Sequence, residues 1–283
     1  MSPPYQRAHW SAPAGVHAVF TLRHGGVSLA PYESFNLAAH VGDNDAAVAE
    51  NRRRLCEALA LPRSPLWLEQ VHGTGVVDAD RLEPAATVPR ADAALTREPG
   101  TVLAVLVADC LPVLFASQDG GAVGIAHAGW RGLAAGVLEA TVAALDTRQP
   151  LHAWLGPSIG PSHFEVGEEV RAAFLAHDAA SRSAFSSNAR GRWQCDLQAL
   201  ARARLAALGV QWVHADTSCS YAQPRRFYSY RRDGVTGRMA ALIWLERSAT
   251  QYGSAPGRAG RPSGLNSPPE PPGTGEKSMH SDA

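Results

Sequence analysis

The chain has no CxxC pair, since its four cysteines, Cys56, Cys110, Cys195 and Cys219, stand far apart. That spacing argues against a zinc ribbon, a thioredoxin-type redox pair and a disulfide scaffold, so each cysteine is read by its own surroundings. None of the eleven histidines forms an HxH pair, and a site for several clustered copper ions needs such imidazoles close together. No apolar run approaches the roughly 20 residues of a membrane helix. Met1 to Trp10 carries Pro, Arg and His where a secretory signal would be greasy. A soluble cytoplasmic protein with no membrane partner is the expectation. Net charge is absent too: 26 basic residues balance 26 acidic ones. No global field therefore selects nucleic acid, and any anion must be caught locally.

What is present is enough apolar material for a full core, 45% of 283 residues. Val16 to Leu22 reads as a strand running into a Gly-rich loop, Arg23 to Ser28. Ala46 to Leu59 places Val48, Leu55 and Leu59 along one helical face, with Asn44 or Asp45 as cap. Thr101 to Ala116 has the look of one central buried strand, interrupted by Asp109, Cys110 and Pro112. Ala122 to Ala126 is a second apolar strand ending at His127, and the turn through Gly132 leads to a helix over Leu133 to Leu145. A further strand at His152 to Leu155 precedes a helix around Gly167 to His177. Asp196 caps a helix over Leu197 to Leu208, and Gln211 to Ala215 reads as a strand. Arg226 to Arg231 and Arg238 to Leu245 flank Asp233-Gly234 as a terminal hairpin. The class is mixed α and β, with one domain over 1–246. From 247 to 283 Pro, Gly and Ser dominate, which predicts a disordered tail.

Three residues able to bind a soft metal stand at segment ends: His72 in EQVHGTG, Cys110 in ADCLP and His127 in AHAGWRG. A catalytic zinc takes three such ligands and keeps a fourth place for water or substrate. Their spacing matches no short motif, and Cys110 reads equally well as a small core hydrophobe, His127 as a capped strand end. Gly129 and Gly132 let backbone amides approach a ligand at a helix start, with Arg131 beside any anion held there, or else simply solvated. Asp109 in a greasy strand is either an active-site acid or a strand terminator facing water. Arg23 and Asn36 are individually unremarkable loop residues.

Taken together, the segments TLRHGGVS, FNLAAHVGD, ENRRRL, EQVHG, DAALT, VADCLPVLF, GIAHAGWRG, GPSIGPSHFEVG, TSCS and FYSYRRDGVTGRMAALI resemble the YfiH-like family. That family is also called laccase domain protein, multicopper polyphenol oxidase, peptidoglycan editing factor and purine nucleoside phosphorylase. The resemblance runs in order over nearly the whole chain apart from its ends. Ser162-His163 departs from it, standing where many relatives carry Cys.

The resemblance implies an α+β fold, a single α/β/β/α layered sandwich with mixed sheets. It implies a Zn2+ ion on His72, Cys110 and His127, with copper a weaker alternative. Arg23, Asn36, Asp109 and Arg131 would line the pocket. Purine nucleosides and phosphate are the implied partners: adenosine, inosine, guanosine or methylthioadenosine cleaved by phosphate, with ammonia release from adenosine as a side activity. Arg131 would hold phosphate, Asp109 would move a proton or meet the cationic sugar, and Arg23 and Asn36 would orient purine or ribose. Three other readings stand beside it: a cell-wall precursor amidase with Cys110 as nucleophile, a copper polyphenol oxidase, and a non-enzymatic module whose zinc is closed by a fourth ligand such as Cys219.

Overall fold

Alternation of side chains along each strand decides the layering. In the stretch 113–116, Val113 and Phe115 pack on one side while Leu114 and Ala116 pack on the other, the period of two that a strand buried on both faces imposes. The computed structural model describes residues 4–83 and 87–246. The expected tail at 247–283 lies outside the described residues.

In chain order the elements are β1 (Tyr5–Arg7), β2 (Val16–Thr21), α1 (Asp45–Ala58), β3 (Val76–Asp78), β4 (Ala93–Thr96), β5 (Val102–Val107), β6 (Leu111–Ser117) and β7 (Val123–Ala128). Then follow α2 (Trp130–Ala135), α3 (Val137–Leu145), β8 (Leu151–Leu155), β9 (Glu165–Val166), α4 (Glu168–Leu175), β10 (Phe185–Ser187) and β11 (Trp193–Cys195). The described chain closes with α5 (Leu197–Ala207), β12 (Trp212–Ala215), the one-turn α6 (Tyr230–Asp233) and β13 (Met239–Leu245). Asn44 caps α1 by accepting from the Ala47 amide, and Asp196 caps α5 by accepting from Ala199.

Four strands form one sheet in the order β1-β2-β13-β5, and six form another in the order β12-β8-β6-β7-β4-β3. The larger sheet is mixed, with β12–β8 and β3–β4 parallel and its other pairs antiparallel. Between the sheets lie Phe20, Val105, Met239 and Ile243 from one and Leu114, Ile125 and Trp154 from the other. Leu55 of α1 packs with Phe35 and Leu37 outside the smaller sheet, and Leu138, Phe174, Leu200 and Leu205 of α3, α4 and α5 cover the larger one. The result is a single α+β domain layered α/β/β/α. Each fully buried Leu or Phe in these layers contributes about 1.5–3 kcal/mol. No helix among the described residues is long and apolar enough to cross a membrane.

Three sequence expectations change. The run 101–116 is not one strand: β5 ends at Val107 in the smaller sheet, Asp109 turns the chain at φ +94°, and β6 enters the larger sheet. Pro112 does not break the ladder; it sits near the start of β6 opposite His127, and its carbonyl accepts from the Gly156 amide. The helix expected from Leu133 begins at Trp130 and is divided at Gly136, whose φ of +102° breaks the helical path. Finally, Arg226 to Arg231 makes no hairpin. Phe227 and Tyr228 are core residues on irregular backbone, and β13 lies between β2 and β5. Aromatic packing had imitated a strand pattern.

Candidate metal centre

Strand register brings the centre together. β6 and β7 pair with Leu111 opposite Ala128, so the next pair outward is Cys110 and Gly129. β4 and β7 pair with Ala93 opposite Ala126, which sets Asp92 beside His127, and the Asp92 carbonyl accepts from the His127 amide at 2.7 Å. The third residue comes from the loop before β3. His72 has φ +60°, a conformation costly for a residue with a Cβ unless its surroundings fix it. They do: the Asp92 carboxylate accepts from the backbone amides of Val71 (3.1 Å), His72 (2.9 Å) and Gly73 (2.6 Å). Next door, the Gln70 amide pairs with both backbone groups of Leu106, tying the loop to the outer edge of β5.

One donor atom from each of His72, Cys110 and His127 lies within 4.8 Å of the others. Cys110 Sγ is 3.9 Å from His72 Nε2, and the two imidazoles meet edge to face with centroids 4.9 Å apart. His127 Nδ1 is 2.8 Å from Asp92 Oδ1. A buried carboxylate there holds the proton on Nδ1 and leaves Nε2 as the donor toward the cluster, the arrangement that orients metal-binding imidazoles. Burial pushes the Cys110 thiol up, but the neighbouring His127 and His72 outweigh it and bring it down to about 6. His127 moves the opposite way: burial lowers it, and the charges and hydrogen bonds of Cys110 and Asp92 raise it to about 9. Burial raises Asp92, while His127 and the loop amides hold it below its ordinary value.

The donor set fits a zinc ion with an open fourth position. Gly129 supports the fit, because a Cβ there would stand 2.9 Å from His72 Cδ2 and 3.0 Å from Cys110 Sγ. The space between the donors exists only with glycine. Cys219 does not close the cluster: its sulfur accepts from the Gly160 amide at 3.1 Å and lies 3.6 Å from His163 Nδ1.

Two cavities adjoin the centre. One of about 530 Å³ is bordered by the three cluster residues with His40, Gln70, Arg131, Arg231 and Arg238. A smaller one of about 130 Å³ is apolar, with Ile159, Phe164 and Leu197 in its wall. Cys110, Trp130, Tyr230 and Arg231 border both. Arg131 is exposed, its guanidinium 4.6 Å from the Trp130 ring centre. Asp109 borders the smaller cavity with both carboxylate oxygens engaged, accepting from Ser220 Oγ (2.6 Å) and the Arg231 amide (2.7 Å).

Arg23 and Asn36 are not among the residues that border these two cavities. Arg23 spends its guanidinium on the carbonyls of Glu33 and Pro224 and lies over the Tyr228 ring. Asn36 is fully buried; its amide bonds Ala38 and Asp43 and accepts from the Arg238 backbone amide. Both side chains are engaged with the fold through these bonds. Sequence reasoning missed Asp92, Gln70, Tyr230 and Arg238 as site residues. For Asp92 a signal existed, a carboxylate opening the apolar segment DAALT, where burial demands partners.

The His-Cys-His centre lies at the crossover between two sheets of an α/β/β/α sandwich, its donors could hold a metal ion, and it adjoins one cavity bordered by arginines and one that is apolar. The family model described as multi-copper polyphenol oxidoreductase laccase matches residues 17–246, and the chain belongs to that family; YfiH-named proteins are similar to this chain. A Pseudomonas aeruginosa protein named purine nucleoside phosphorylase is 54% identical over 84% of this chain and 96% of its own length. The Escherichia coli purine nucleoside phosphorylase YfiH is 53% identical over 83% and 96%. Among solved structures, a Neisseria meningitidis protein matches with a TM-score of 0.82 and 45% identity, covering 86% of this chain and 100% of its own. YlmD from Geobacillus stearothermophilus matches with a TM-score of 0.76 and 34% identity, covering 87% and 100%.

Proposed function

We propose that the protein is a zinc-dependent purine nucleoside phosphorylase, acting on adenosine, inosine, guanosine or methylthioadenosine, with adenosine deaminase as a side activity of the same cavity. The observation that carries the reading is the open three-donor cluster at the junction of a basic and an apolar compartment. The names of the relatives supply the reaction class.

In phosphorolysis a phosphate oxygen bonds to C1′ of the ribose, the C1′–N9 bond breaks, and its electron pair leaves with the purine, which takes up a proton. Positive charge builds on the sugar and negative charge on the base, so the site must meet both. His72, Cys110 and His127 would hold zinc, which would polarise a substrate oxygen or lower the pKa of bound water. Asp92 keeps His127 and the His72 loop in position. Arg131, at the rim, attracts phosphate. Asp109 fixes the Cys110 turn and the backbone at Arg231, and its negative charge would help to stabilise a cationic sugar.

The test is incubation of purified protein with adenosine, with and without phosphate, following adenine, ribose 1-phosphate and inosine by chromatography. Phosphate-dependent adenine release that disappears in Cys110→Ala supports the reading. Full phosphorolysis by metal-free protein rejects the role of zinc.

One observation favours a second reading. A thiol brought to about 6 beside two imidazoles is also what a cysteine nucleophile needs, and Cys110 would then attack an amide of a cell-wall precursor. Metal analysis separates the two, because a zinc-bound thiolate is not free to attack. The copper oxidase reading fits less well: among the described residues there is one His/Cys cluster of three donors, whereas several copper ions need many imidazoles.

A further inference from the structure

Three arginines border the larger cavity, and the structure distinguishes them. Arg131 is exposed and lies against Trp130. Arg231 has Nη1 donating to the Glu165 carbonyl at 2.7 Å and its guanidinium over Phe164. Arg238 is the half-buried one, and no carboxylate among the described residues lies within ion-pair distance of it. Its guanidinium donates through Nη1 to the carbonyls of Thr236 (2.8 Å) and Gly237 (3.0 Å). Carbonyls orient a cation without neutralising it. Nε and Nη2 have no protein acceptor among the described residues and are not among the dry, unpartnered buried atoms, so they are open to a ligand or water, and Arg238 borders the larger cavity.

The frame behind Arg238 is rigid. Its backbone amide donates to Asn36 Oδ1 at 2.9 Å, and all the amide bonding of Asn36 is used within the fold. A Cβ at Gly237 would come within 2.8 Å of the Tyr228 ring and 2.9 Å of Asn36, so the chain is packed tightly immediately before the arginine. The Tyr230 ring stands 5.7 Å from the guanidinium carbon and forms part of the wall shared with the apolar cavity. Holding a cation partly out of water with no counter-charge in direct contact costs free energy that an anionic ligand would offset. A guanidinium with two adjacent free N–H edges is the geometry that grips a tetrahedral oxyanion.

We propose that Arg238, held in place by Asn36 and Gly237, is the principal phosphate-binding residue, and that the apolar recess of Ile159, Phe164 and Leu197 on the far side of Tyr230 takes the purine. The identity of the anion rests on the phosphorolytic reading; the existence of an oxyanion site at Arg238 does not. This moves the anion from the exposed Arg131 to a residue inside the cavity.

The experiment is calorimetric titration of inorganic phosphate into the full-length wild type, Arg238→Met, Arg238→Lys and Arg131→Met, with KM for phosphate and for nucleoside measured alongside. Arg238→Met should weaken phosphate binding and raise the phosphate KM by about tenfold or more, while the nucleoside KM stays within about twofold. Arg238→Lys should recover part of the loss, and Arg131→Met, at the rim, should weaken phosphate binding clearly less than Arg238→Met does. If Arg238→Met does not fold, as judged by its melting curve, the Lys variant decides: undiminished phosphate affinity in it overturns the proposal. So does unchanged affinity in a folded Arg238→Met, or an equal loss at Arg131→Met. Wild type that binds phosphate through Arg238 but cleaves no nucleoside would sink the reaction and leave the oxyanion site. Phosphorolysis with an unaltered phosphate KM in Arg238→Met would do the reverse.

Discussion

Asp92→Asn is the sharpest single perturbation of the centre. The carboxylate is fully buried and accepts four hydrogen bonds, two on each oxygen. Oδ1 serves the His72 amide and His127 Nδ1; Oδ2 serves the amides of Val71 and Gly73. Asparagine has one oxygen and one NH2 group, and every orientation sets that NH2 against donors. With nitrogen at the Oδ2 position, the Val71 and Gly73 amides lose their acceptor. With nitrogen at the Oδ1 position, His127 can accept only by carrying its proton on Nε2, the atom needed for a metal. Hydrogen bonds to a charged group are worth about 1.5–3 kcal/mol each, so losing two costs about 3–6 kcal/mol. In a domain of this size that lowers the melting temperature by roughly 10 °C. Zinc affinity should fall about 10- to 100-fold, as for removal of other groups that orient a ligand. Because the folded-state pKa of Asp92 is depressed, its stabilisation is present above the unfolded value of about 4 and is lost as pH falls through the lower folded value. The acid side of the stability curve should therefore be shallower in the variant. Calorimetric melting with and without zinc, and chelator competition, measure all three. A variant that melts within about 2 °C of wild type with the same zinc affinity would refute the reasoning.

Gly129→Ala should leave the backbone unstrained, since φ is −61°, yet force His72 and Cys110 away from a methyl group at 2.9–3.0 Å. Chelator competition should show zinc affinity down by about tenfold or more, with a stability loss of about 1–3 kcal/mol. In metal-free protein, iodoacetamide should modify Cys110, at a rate that rises as pH passes upward through about 6, while Cys195, pushed up to about 12 by burial, stays unmodified. Peptide mass spectrometry reads both, and added zinc should protect Cys110. Leu114→Ala, which empties a fully buried position between the two sheets, should cost about 2–5 kcal/mol in denaturant unfolding.

Local chemistry carried much of this structure into the sequence. Asn44 and Asp196 announce helices because a short polar side chain before an apolar face satisfies orphan amides, and β2 announces itself through its apolar run. The split of 101–116 was not legible, because a continuous apolar stretch looks the same whether it stays in one sheet or passes between two. Nor were β9, β10 and β11, which are two or three residues long and too short to show a period. Arg23 and Asn36 sit in segments of the right motif, but whether a polar side chain faces a cavity or the carbonyls behind it depends on residues as distant as Pro224 and Arg238. Arg238 was invisible for the converse reason: at the head of an apolar strand it reads as an ordinary boundary residue.

The position of the centre follows from the crossover more than from any one ligand. Where the chain leaves β5 and enters β6, it passes from one sheet to the other, and the residues at that step cannot belong to either ladder. Asp109 supplies the turn and is secured by Ser220 and the Arg231 amide; Cys110 is the first residue free to face the gap. The β6–β7 and β7–β4 registers then determine which residues stand beside it, a glycine across from the cysteine and a histidine backed by a carboxylate. Moving β7 by one residue would turn His127 to the opposite face and remove both the donor and the partner of Asp92. A metal held there would be coupled to sheet pairing through the same three strands, so occupancy of the centre should stabilise this part of the fold before any other.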